Sequence, residues 1–344
     1  MMSLACQLLA SGDVSIVVQL TSGNRYLQTQ VWVNRQLVPT NNFLRHYPKE
    51  NFVEHQLWLA IVALVADLGK QRKRTICDYS DADIVHVYYW AVVHDRPTAW
   101  ACNRNHWPPW RRRRPLPSEA TMSRRLRSLG VKKLLDAVEQ RVTAPKQPGL
   151  YWMIDGKPLP ISGCSKDRQA GYGRAANCKA KGYKIHAIVN PEGSLAAWRV
   201  TPMNKDERVM AVRLVRNAAI HGYLVGDTNY DSNPLHEACG RRASLQLVTR
   251  RRYGPGRGLG HKKQTPGRLR SIALLENPYP DFGEQLLADR NAIERRFAHL
   301  TNWGGGLTCL PPWVRTHRRV HRWVQAKLVL TTIKRTQQIK SYVA

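Results

Sequence analysis

The sequence predicts an α/β protein in which a mixed five-stranded sheet is flanked by helices and preceded by an α-helical region. Short apolar runs bounded by turn residues alternate with helical periodicity after residue 150, whereas residues 52–130 show helical periodicity alone. A chain of 344 residues is long enough for about two domains and for a large buried core. Its 43% hydrophobic content argues against global disorder.

Charge is the strongest compositional signal. The 54 Lys and Arg residues outnumber the 24 Asp and Glu residues, which gives a net charge of +30. The natural complement of such a surface is a polyanion, and nucleic acid is the leading candidate because each neutralised phosphate releases counterions. A basic protein without a specific ligand, or one that sits on an anionic membrane surface, is the alternative.

Membrane and secreted classes are not expected. The longest apolar run, 57–66, has 10 residues, about half of the ~20 that a membrane-spanning helix needs. No Lys or Arg precedes Arg25, so a signal peptide is not indicated. The 7 cysteines form no CxxC pair, although Cys102 and His106 have a ligand-like spacing. We therefore expect reduced thiols and a cytoplasmic protein.

Two helices are predicted in the first half of the helical region. The first would end at Gly69 and carries apolar residues at i, i+4, i+7 and i+11, namely Leu57, Ile61, Leu64 and Leu68. The second would begin after the N-cap pair Ser80 and Asp81. Before residue 52, only the stretches 15–18 and 30–33 suggest short strands.

A third helix, opened by Pro117, Ser118 and Glu119, resembles the recognition helix of a helix-turn-helix. Its predicted buried side consists of Met122, Leu126 and Leu129. Its polar face carries Arg124, Arg125 and Arg127, whose guanidinium groups suit phosphates and base edges. An ordinary solvated basic helix is the alternative, but the overall charge favours contact with double-stranded DNA.

After a linker at 144–149, strands and helices alternate. The predicted strands are 151–154, 183–189, 195–200, 223–226 and 245–249. The predicted helices are 206–220, 233–239, 284–300 and 318–339. The stretch 250–270 contains Gly, Pro and basic residues but no acid, which is typical of a flexible loop that binds a DNA strand. Within it, Lys262 and Lys263 are candidate DNA contacts.

Three carboxylates are candidate metal ligands. Asp155 and Asp227 each follow an apolar strand, and the carboxyl ends of strands in α/β sheets commonly carry ligand chemistry. Glu294 lies on a helix that should pack against the sheet, one turn after Arg290. Three converging carboxylates repel one another, and a pair of Mg²⁺ ions would remove that repulsion and support in-line displacement at phosphorus.

Several sequence phrases in the expected order resemble the bacterial insertion-sequence transposases of the DDE superfamily, whose catalytic core is RNase H-like. The phrases are IDGKP at 154–158, KGYKIH at 181–186, VGDTNYD at 225–231, RNAIERRF at 290–297, and LPS and SRRL at 116–118 and 123–126. The resemblance covers about residues 52–335 and is strongest over 150–300. It implies an N-terminal extension over 1–50, a helical DNA-binding region over 51–145 and a catalytic domain over 150–340.

The resemblance also implies an activity. Asp155, Asp227 and Glu294 would hold two Mg²⁺ ions, for which Mn²⁺ can substitute. The enzyme would bind terminal inverted repeats, free a 3′-hydroxyl and join it to target DNA. It would act as a homodimer in a synaptic complex and associate with the bacterial nucleoid.

Two positions depart from the family pattern around the third acid. Leu287 stands where the family often has Tyr, and Thr301 stands where it often has Lys. In the family, those side chains hold DNA near the scissile phosphate. A catalytically decayed DNA-binding remnant and a structure-selective nuclease of the same fold are therefore alternatives.

Other polar residues were rivals for catalytic roles. Asp231 follows Asp227 by one turn, Asp206 is more simply a helix N-cap, and a histidine within a strand, such as His186, is more often structural. Asp167 does not end an apolar strand, and Asp289 would point about 140° away from Glu294 around a helix axis.

Overall fold

The computed structural model describes most of the chain. The residues described are 5–8, 14–19, 28–33, 36–38, 52–69, 78–109, 111–145, 149–162, 165–175, 178–242, 244–252, 264–276, 281–288, 290, 293–295, 297, 298, 307 and 309–343. For residues 5–38, 52 and 337–343 the description covers the backbone alone. The chain forms two compact units, Met1–Asp78 and Tyr79–Ala344.

In the first unit, the described residues form an antiparallel sheet and a helix. Its strands, in sheet order, are β1 (Ala5–Leu8), β2 (Val14–Gln19), β3 (Gln28–Val33) and β4 (Gln36–Val38). The helix α1 (Phe52–Gly69) ends at Gly69 as predicted. Its buried apolar positions are Leu57, Trp58, Ile61 and Val65, whereas Leu64 and Leu68 are only half-buried. The apolar face thus follows an i, i+4, i+8 course rather than the predicted one.

The second unit opens with a helical region. Its elements are α2 (Asp81–Val93), α3 (Thr98–Ala101), a 3₁₀ turn (Arg104–His106), α4 (Glu119–Arg125) and α5 (Leu129–Thr143). Ser80 caps α2 in a reciprocal pair with Asp83, and Ser118 caps α4 by accepting the Thr121 N–H.

The predicted third helix is in fact two helices. Ser128 accepts the Val131 N–H and so caps a new helix only three residues after α4 ends. Met122 and Leu126 are buried as predicted, but the side chain of Leu129 is 65% exposed because it opens α5 instead of continuing α4. The prediction that Leu129 is buried was therefore wrong.

A mixed sheet of six strands forms the centre of the second unit. Its strands are β5 (Tyr151–Pro160), β6 (Gly171–Ala175), β7 (Cys178–Val189), β8 (Leu195–Pro202), β9 (Gly222–Val225) and β10 (Leu245–Val248). The order runs β10-β9-β5-β7-β6, and β8 also pairs with β7. The β5, β9 and β10 strands are parallel, whereas β7 is antiparallel to β5, β6 and β8.

This arrangement confirms the predicted fold class, with one additional strand. The strand that the sequence did not predict is β6, whose polar and glycine-rich residues show no apolar alternation. Its glycines allow close approach to the neighbouring backbone, since a Cβ on Gly173 would lie 2.7 Å from the Met203 carbonyl oxygen.

Helices cover the two faces of the sheet. On one face, α6 (Glu207–Asn217) and α7 (Asn233–Gly240) pack over a core that includes Trp152, Ile154, Leu214, Leu224, Leu235 and Leu247. On the other face, α8 (Pro266–Glu276) and α9 (Asp281–Ala288) lie near Val225, Val248 and Leu286. The long C-terminal helix α10 (His317–Val343) packs on α2, α5 and β8.

Two predictions for this part of the chain need correction. The stretch 250–270 is not one loop, because α8 begins at Pro266, while residues 253–263 lie outside the described part. The predicted helix over 284–300 begins earlier, at Asp281, and α9 ends at Ala288. Residues 293–295 are helical again, and Ile293 and Phe297 are buried as predicted. Among the residues described, no helix is both long and apolar enough to cross a membrane.

Candidate functional site

Sheet register brings Asp155 and Asp227 to the same level. The parallel strands β5 and β9 pair Met153 with Val225, so Asp155 and Asp227, each two residues further along, lie opposite each other on the same face. Asp227 follows the end of β9 and caps a short 3₁₀ turn, Thr228–Tyr230. Asp227 follows its strand as predicted, whereas Asp155 lies within β5, which continues to Pro160, so the prediction that Asp155 follows the end of a strand was wrong. The two carboxylates are nevertheless neighbours.

Asp155 occupies a place that disfavours its negative charge. The pKa of its carboxyl group is raised to about 7, chiefly by burial and to a smaller extent by the carboxylates of Asp227 and Glu207. Two groups oppose this shift and lower the pKa: the Gly156 N–H, which donates to Asp155 Oδ1 at 2.7 Å, and the Arg290 guanidinium. The local charge balance is short of positive charge, which a bound cation would supply.

Asp227 is held by its own turn. Its Oδ1 accepts the Asn229 N–H at 2.9 Å, and its Oδ2 lies 3.4 Å from Asn229 Nδ2. Its backbone carbonyl accepts a hydrogen bond from the Thr249 hydroxyl at 3.0 Å, which ties this turn to the end of β10. The carboxylate is half-buried and faces a cavity of about 410 Å³.

Tyr230 lies directly beneath these carboxylates. Gly226 makes room for it, because a Cβ at Gly226 would lie 3.0 Å from Tyr230 Cδ2. The ring is buried, and no group in the described part of the chain forms a hydrogen bond with its hydroxyl. Burial, followed by the carboxylates of Asp155, Glu207 and Asp227, raises the pKa of this hydroxyl, so it remains a protonated donor.

Glu207 is a site residue that sequence reasoning missed. It is the first residue of α6, next to the predicted N-cap Asp206, which accepts the N–H groups of Arg208 and Val209 as expected. The Glu207 carboxylate forms an ion pair with Lys184 and lies over Gly156, where a Cβ would be 3.2 Å from Glu207 Oε1. The sequence around Glu207, between β8 and α6, gives no indication of this role. The approach of its carboxylate to the site depends on Gly156 in β5, which leaves room for it.

Glu294 is bound by Arg290 rather than placed between the two aspartates. Arg290 Nη2 lies 3.2 Å from Glu294 Oε1, as the predicted i, i+4 spacing suggests, and the Glu294 side chain is 55% exposed. The positive charge of Arg290 lowers the pKa of Asp155, and Arg290 lines the same cavity as Asp227. In the described ranges, no three His, Cys, Asp or Glu side chains are close enough together to hold one metal ion.

The residues predicted to contact DNA have different surroundings. Arg124 and Arg127 are exposed, and Arg127 donates to the Ser123 carbonyl at 3.0 Å. Arg125 is only 13% exposed, because it forms an ion pair with Asp81 at 2.8 Å and donates to the Tyr79 carbonyl. Arg125 thus serves the packing of α4 against α2, contrary to its predicted place on the DNA-facing side. Lys262 and Lys263 lie outside the described residues.

The rival acids have structural partners. Asp231 is buried and accepts two hydrogen bonds from Arg268, at 2.7 and 2.6 Å, and one from the Arg252 N–H. These partners hold its pKa well below its usual range despite burial. Asp167 accepts the Tyr183 hydroxyl at 2.7 Å and the Thr316 N–H at 2.8 Å. Asp289 lies outside the described residues.

Two further candidates are also occupied elsewhere. His186 is buried, its Nε2 is 2.9 Å from Thr201 Oγ1, and burial lowers the pKa of its ring to about 4. Cys102 donates to the Thr98 carbonyl, while His106 Nδ1 lies 2.7 Å from the Trp100 carbonyl. Neither set resembles a metal centre.

The chemistry of the donor set fits a hard divalent cation. Carboxylate oxygens are what Mg²⁺ and Mn²⁺ prefer, and here two carboxylates are neighbours, of which Asp155 is buried enough that its negative charge is disfavoured. The buried Tyr230 hydroxyl can donate to a carboxylate and so orient its oxygens.

Comparisons with known proteins identify the family of the chain. Residues 151–330, more than half of the chain, match the family model of the transposase DDE domain. Among solved structures, the chain is similar to a piggyBac transposase synaptic complex with hairpin DNA. The two share 12% sequence identity and a TM-score of 0.42 over 87% of this chain and 77% of that one. Among curated proteins, no sequence matches. The extent of the family match shows that the chain belongs to the transposase DDE domain family, a family of DNA-cleaving transposases.

Proposed function

We propose that the chain is a divalent-metal-dependent transposase that cuts phosphodiester bonds at the ends of a DNA element and joins the freed 3′-hydroxyl to target DNA. One observation carries the proposal: the register of the parallel strands β5 and β9 brings Asp155, within β5, to the level of Asp227, just after β9. The surroundings of Asp155 raise the pKa of its carboxyl group to about 7, which favours a cation beside it.

Asp155 and Asp227 would hold the cation, and Glu294 would complete the set from the helical segment after α9. Two Mg²⁺ or Mn²⁺ ions, when bound, would activate the attacking hydroxyl and stabilise the leaving oxygen. Glu294 pairs with Arg290, whose positive charge also acts on Asp155, and this shared partner supports its assignment to the site.

Arg290 would bind a DNA phosphate at the site. Its guanidinium lines the cavity beside Asp227 and is half-exposed, so it can form paired hydrogen bonds with a phosphate. The cavity wall also contains Leu287, where the family often has Tyr. Binding of the flanking strand would therefore depend on Arg290 and Arg250, which both border the cavity.

Element ends would be bound by the helical region. Arg124 and Arg127 are exposed on and just after α4, so their guanidinium groups are available to DNA phosphates. A synaptic complex of two copies would bring both ends together for strand transfer.

The test is cleavage of DNA that carries the sequences flanking the coding region. Wild-type protein should nick this DNA in Mg²⁺ or Mn²⁺, leave 3′-hydroxyl ends and be inactive in EDTA. Asp155→Asn should bind the DNA as well as wild type but lose cleavage by several orders of magnitude. Asp206→Asn, which changes an N-cap acid away from the pair, is the matched control and should cleave normally. Cleavage by Asp155→Asn at the wild-type rate would overturn the assignment.

One observation favours a second candidate, a DNA-binding remnant without cleavage activity. Glu294 pairs with Arg290 and its side chain is 55% exposed. If the chain is such a remnant, the wild-type protein should bind the flanking sequences but should not nick them in Mg²⁺ or in Mn²⁺. A structure-selective nuclease, in contrast, would nick branched DNA without any preference for those sequences.

A further inference from the structure

A second cavity contains neither Asp155 nor Asp227 and carries the opposite charge. It has a volume of about 690 Å³ and is lined by the helical region and the start of α10. The charged side chains among its described lining residues are four arginines and one acid, namely Arg127, Arg318, Arg319, Arg322 and Glu119. We call it the arginine cavity.

The arginines in this cavity repel one another. Burial lowers the pKa of Arg322, and the positive charges of Arg319 and Arg318 lower it further. Arg322 is nonetheless fixed in place, because its Nη1 donates to the Leu126 carbonyl and its guanidinium lies 5.7 Å from the centre of the Tyr88 ring. The fold therefore maintains an excess of positive charge here, four arginines against one acid.

Helix stability does not account for these residues. Arg318 and Arg319 are in the first turn of α10, where the helix dipole is positive and cationic side chains are unfavourable. A site selected for stability alone would carry acids at these positions. An anion bound between the arginines would remove both the mutual repulsion and the unfavourable interaction with the dipole.

The first turn of α10 is rigidly positioned. Thr316 has φ +68°, a left-handed conformation that strains a β-branched residue by roughly 1–3 kcal/mol. Its N–H donates to Asp167 Oδ2 at 2.8 Å, and the next N–H, of His317, donates to Gln169 Oε1 at 2.6 Å. These bonds fix where Arg318 and Arg319 project, as a preorganised binding site requires.

We propose that the arginine cavity binds consecutive backbone phosphates of duplex DNA, at a point distinct from the acidic pair. The inference deepens the proposed function, since it rests on DNA being the substrate. Guanidinium groups bind phosphate oxygens through paired hydrogen bonds, and four of them exceed what one free phosphate needs. Arg127 links the cavity to the exposed arginines of the α4 region, so one duplex can contact both.

The test is the salt dependence of DNA binding by the double variant R318Q/R319Q. Each lost phosphate contact lowers the slope of log K against log salt by about one unit, so the slope should fall by about two. The matched control is R213Q/R216Q, which removes the same charge from the exposed side of α6 and should keep the wild-type slope. Thermal stability of R318Q/R319Q should equal or exceed that of wild type, because two charges that oppose the helix dipole are gone.

A third variant works in the opposite direction. E119Q removes the acid from the cavity and should tighten DNA binding several-fold. Equal slopes for R318Q/R319Q and R213Q/R216Q would overturn the proposal. The proposal would also be overturned if the cavity bound only free anions. In that case sulfate would stabilise wild type but not R318Q/R319Q, and the two proteins would bind DNA with the same salt slope. Failure of the proposed function would give a different result, because wild type would then show no metal-dependent nicking, whatever the salt slopes of DNA binding.

Discussion

At the residue scale, the ionised carboxylate of Asp155 lowers the free energy of unfolding of the chain. The pKa of its carboxyl group is about 7 in the folded chain, above the ordinary value of 3.8. A group whose pKa rises on folding binds its proton more tightly in the folded state, so its ionisation favours unfolding. The unfavourable contribution begins as pH rises above about 4 and is complete above about 7.

This charge state predicts the effect of Asp155→Asn on stability. In EDTA at pH 8 the variant should melt at a higher temperature than wild type, with a gain on the order of a few kcal/mol, because it removes a buried charge. At pH 5, where the Asp155 carboxyl is largely protonated, most of the difference should vanish. Thermal denaturation at both pH values is the measurement.

A control of opposite sign is available in Asp206. The Arg208 side chain and two backbone N–H groups hold the pKa of Asp206 at about 2, so its ionisation stabilises the folded chain above pH 4. Asp206→Asn should therefore lower the melting temperature at pH 8. If Asp155→Asn also lowered it at pH 8, the electrostatic description of the site would be incorrect.

Sequence reasoning predicted part of the site at this scale. Asp155 and Asp227 could be selected because each follows an apolar run in a chain poor in acids. Glu207 and Tyr230 could not, because they reach the pair across Gly156 and Gly226, and side-chain space beside a glycine is a property of the tertiary fold.

At the element scale, the helices followed their local signals closely where caps were present. Ser80, Ser118 and Asp206 cap α2, α4 and α6 as predicted. The unpredicted α8 begins at Pro266, a residue suited to the first turn of a helix, but the glycines and basic residues before it favoured a loop. The break between α4 and α5 required recognising Ser128 as a second cap.

The α4 region also separates arginines that hold the fold from those available to DNA. Arg124→Gln should leave the melting temperature unchanged and lower the salt slope of DNA binding by about one unit. Arg125→Gln should cost roughly 1–3 kcal/mol of stability, because it leaves Asp81 without its partner in a half-buried place. Thermal denaturation and salt titration of both variants distinguish the two roles. An unchanged melting temperature for Arg125→Gln would contradict this division.

At the scale of the whole molecule, the composition predicts a polyanionic partner, whereas the order of the strands in the sheet could not be predicted from the sequence. A net charge of +30 indicates a polyanion irrespective of structure. Strand order is different, because β5 pairs with β7 on one side and with β9 on the other, and these strands are distant in sequence. The pairing follows from the burial of both faces of the sheet under helices. This is a property of the whole fold and cannot be predicted from a short stretch of sequence.

The charge is also distributed unevenly over the second unit. The acidic pair lies on and just after the interior strands β5 and β9 of the central sheet, whereas the arginine cavity lies by the start of α10. This division is what a DNA-cleaving enzyme requires, since phosphates must be attracted by one region and a cation retained by another.

The most direct test of the central claim, that Asp155 and Asp227 form a divalent-cation site, is Mn²⁺ binding measured by electron paramagnetic resonance at pH 8. Wild type should bind Mn²⁺, while Asp155→Asn and Asp227→Asn should each weaken binding by at least tenfold, because each removes a charged oxygen ligand. Asp206→Asn should bind as wild type does. Equal Mn²⁺ affinity in wild type, Asp155→Asn and Asp227→Asn would contradict the claim.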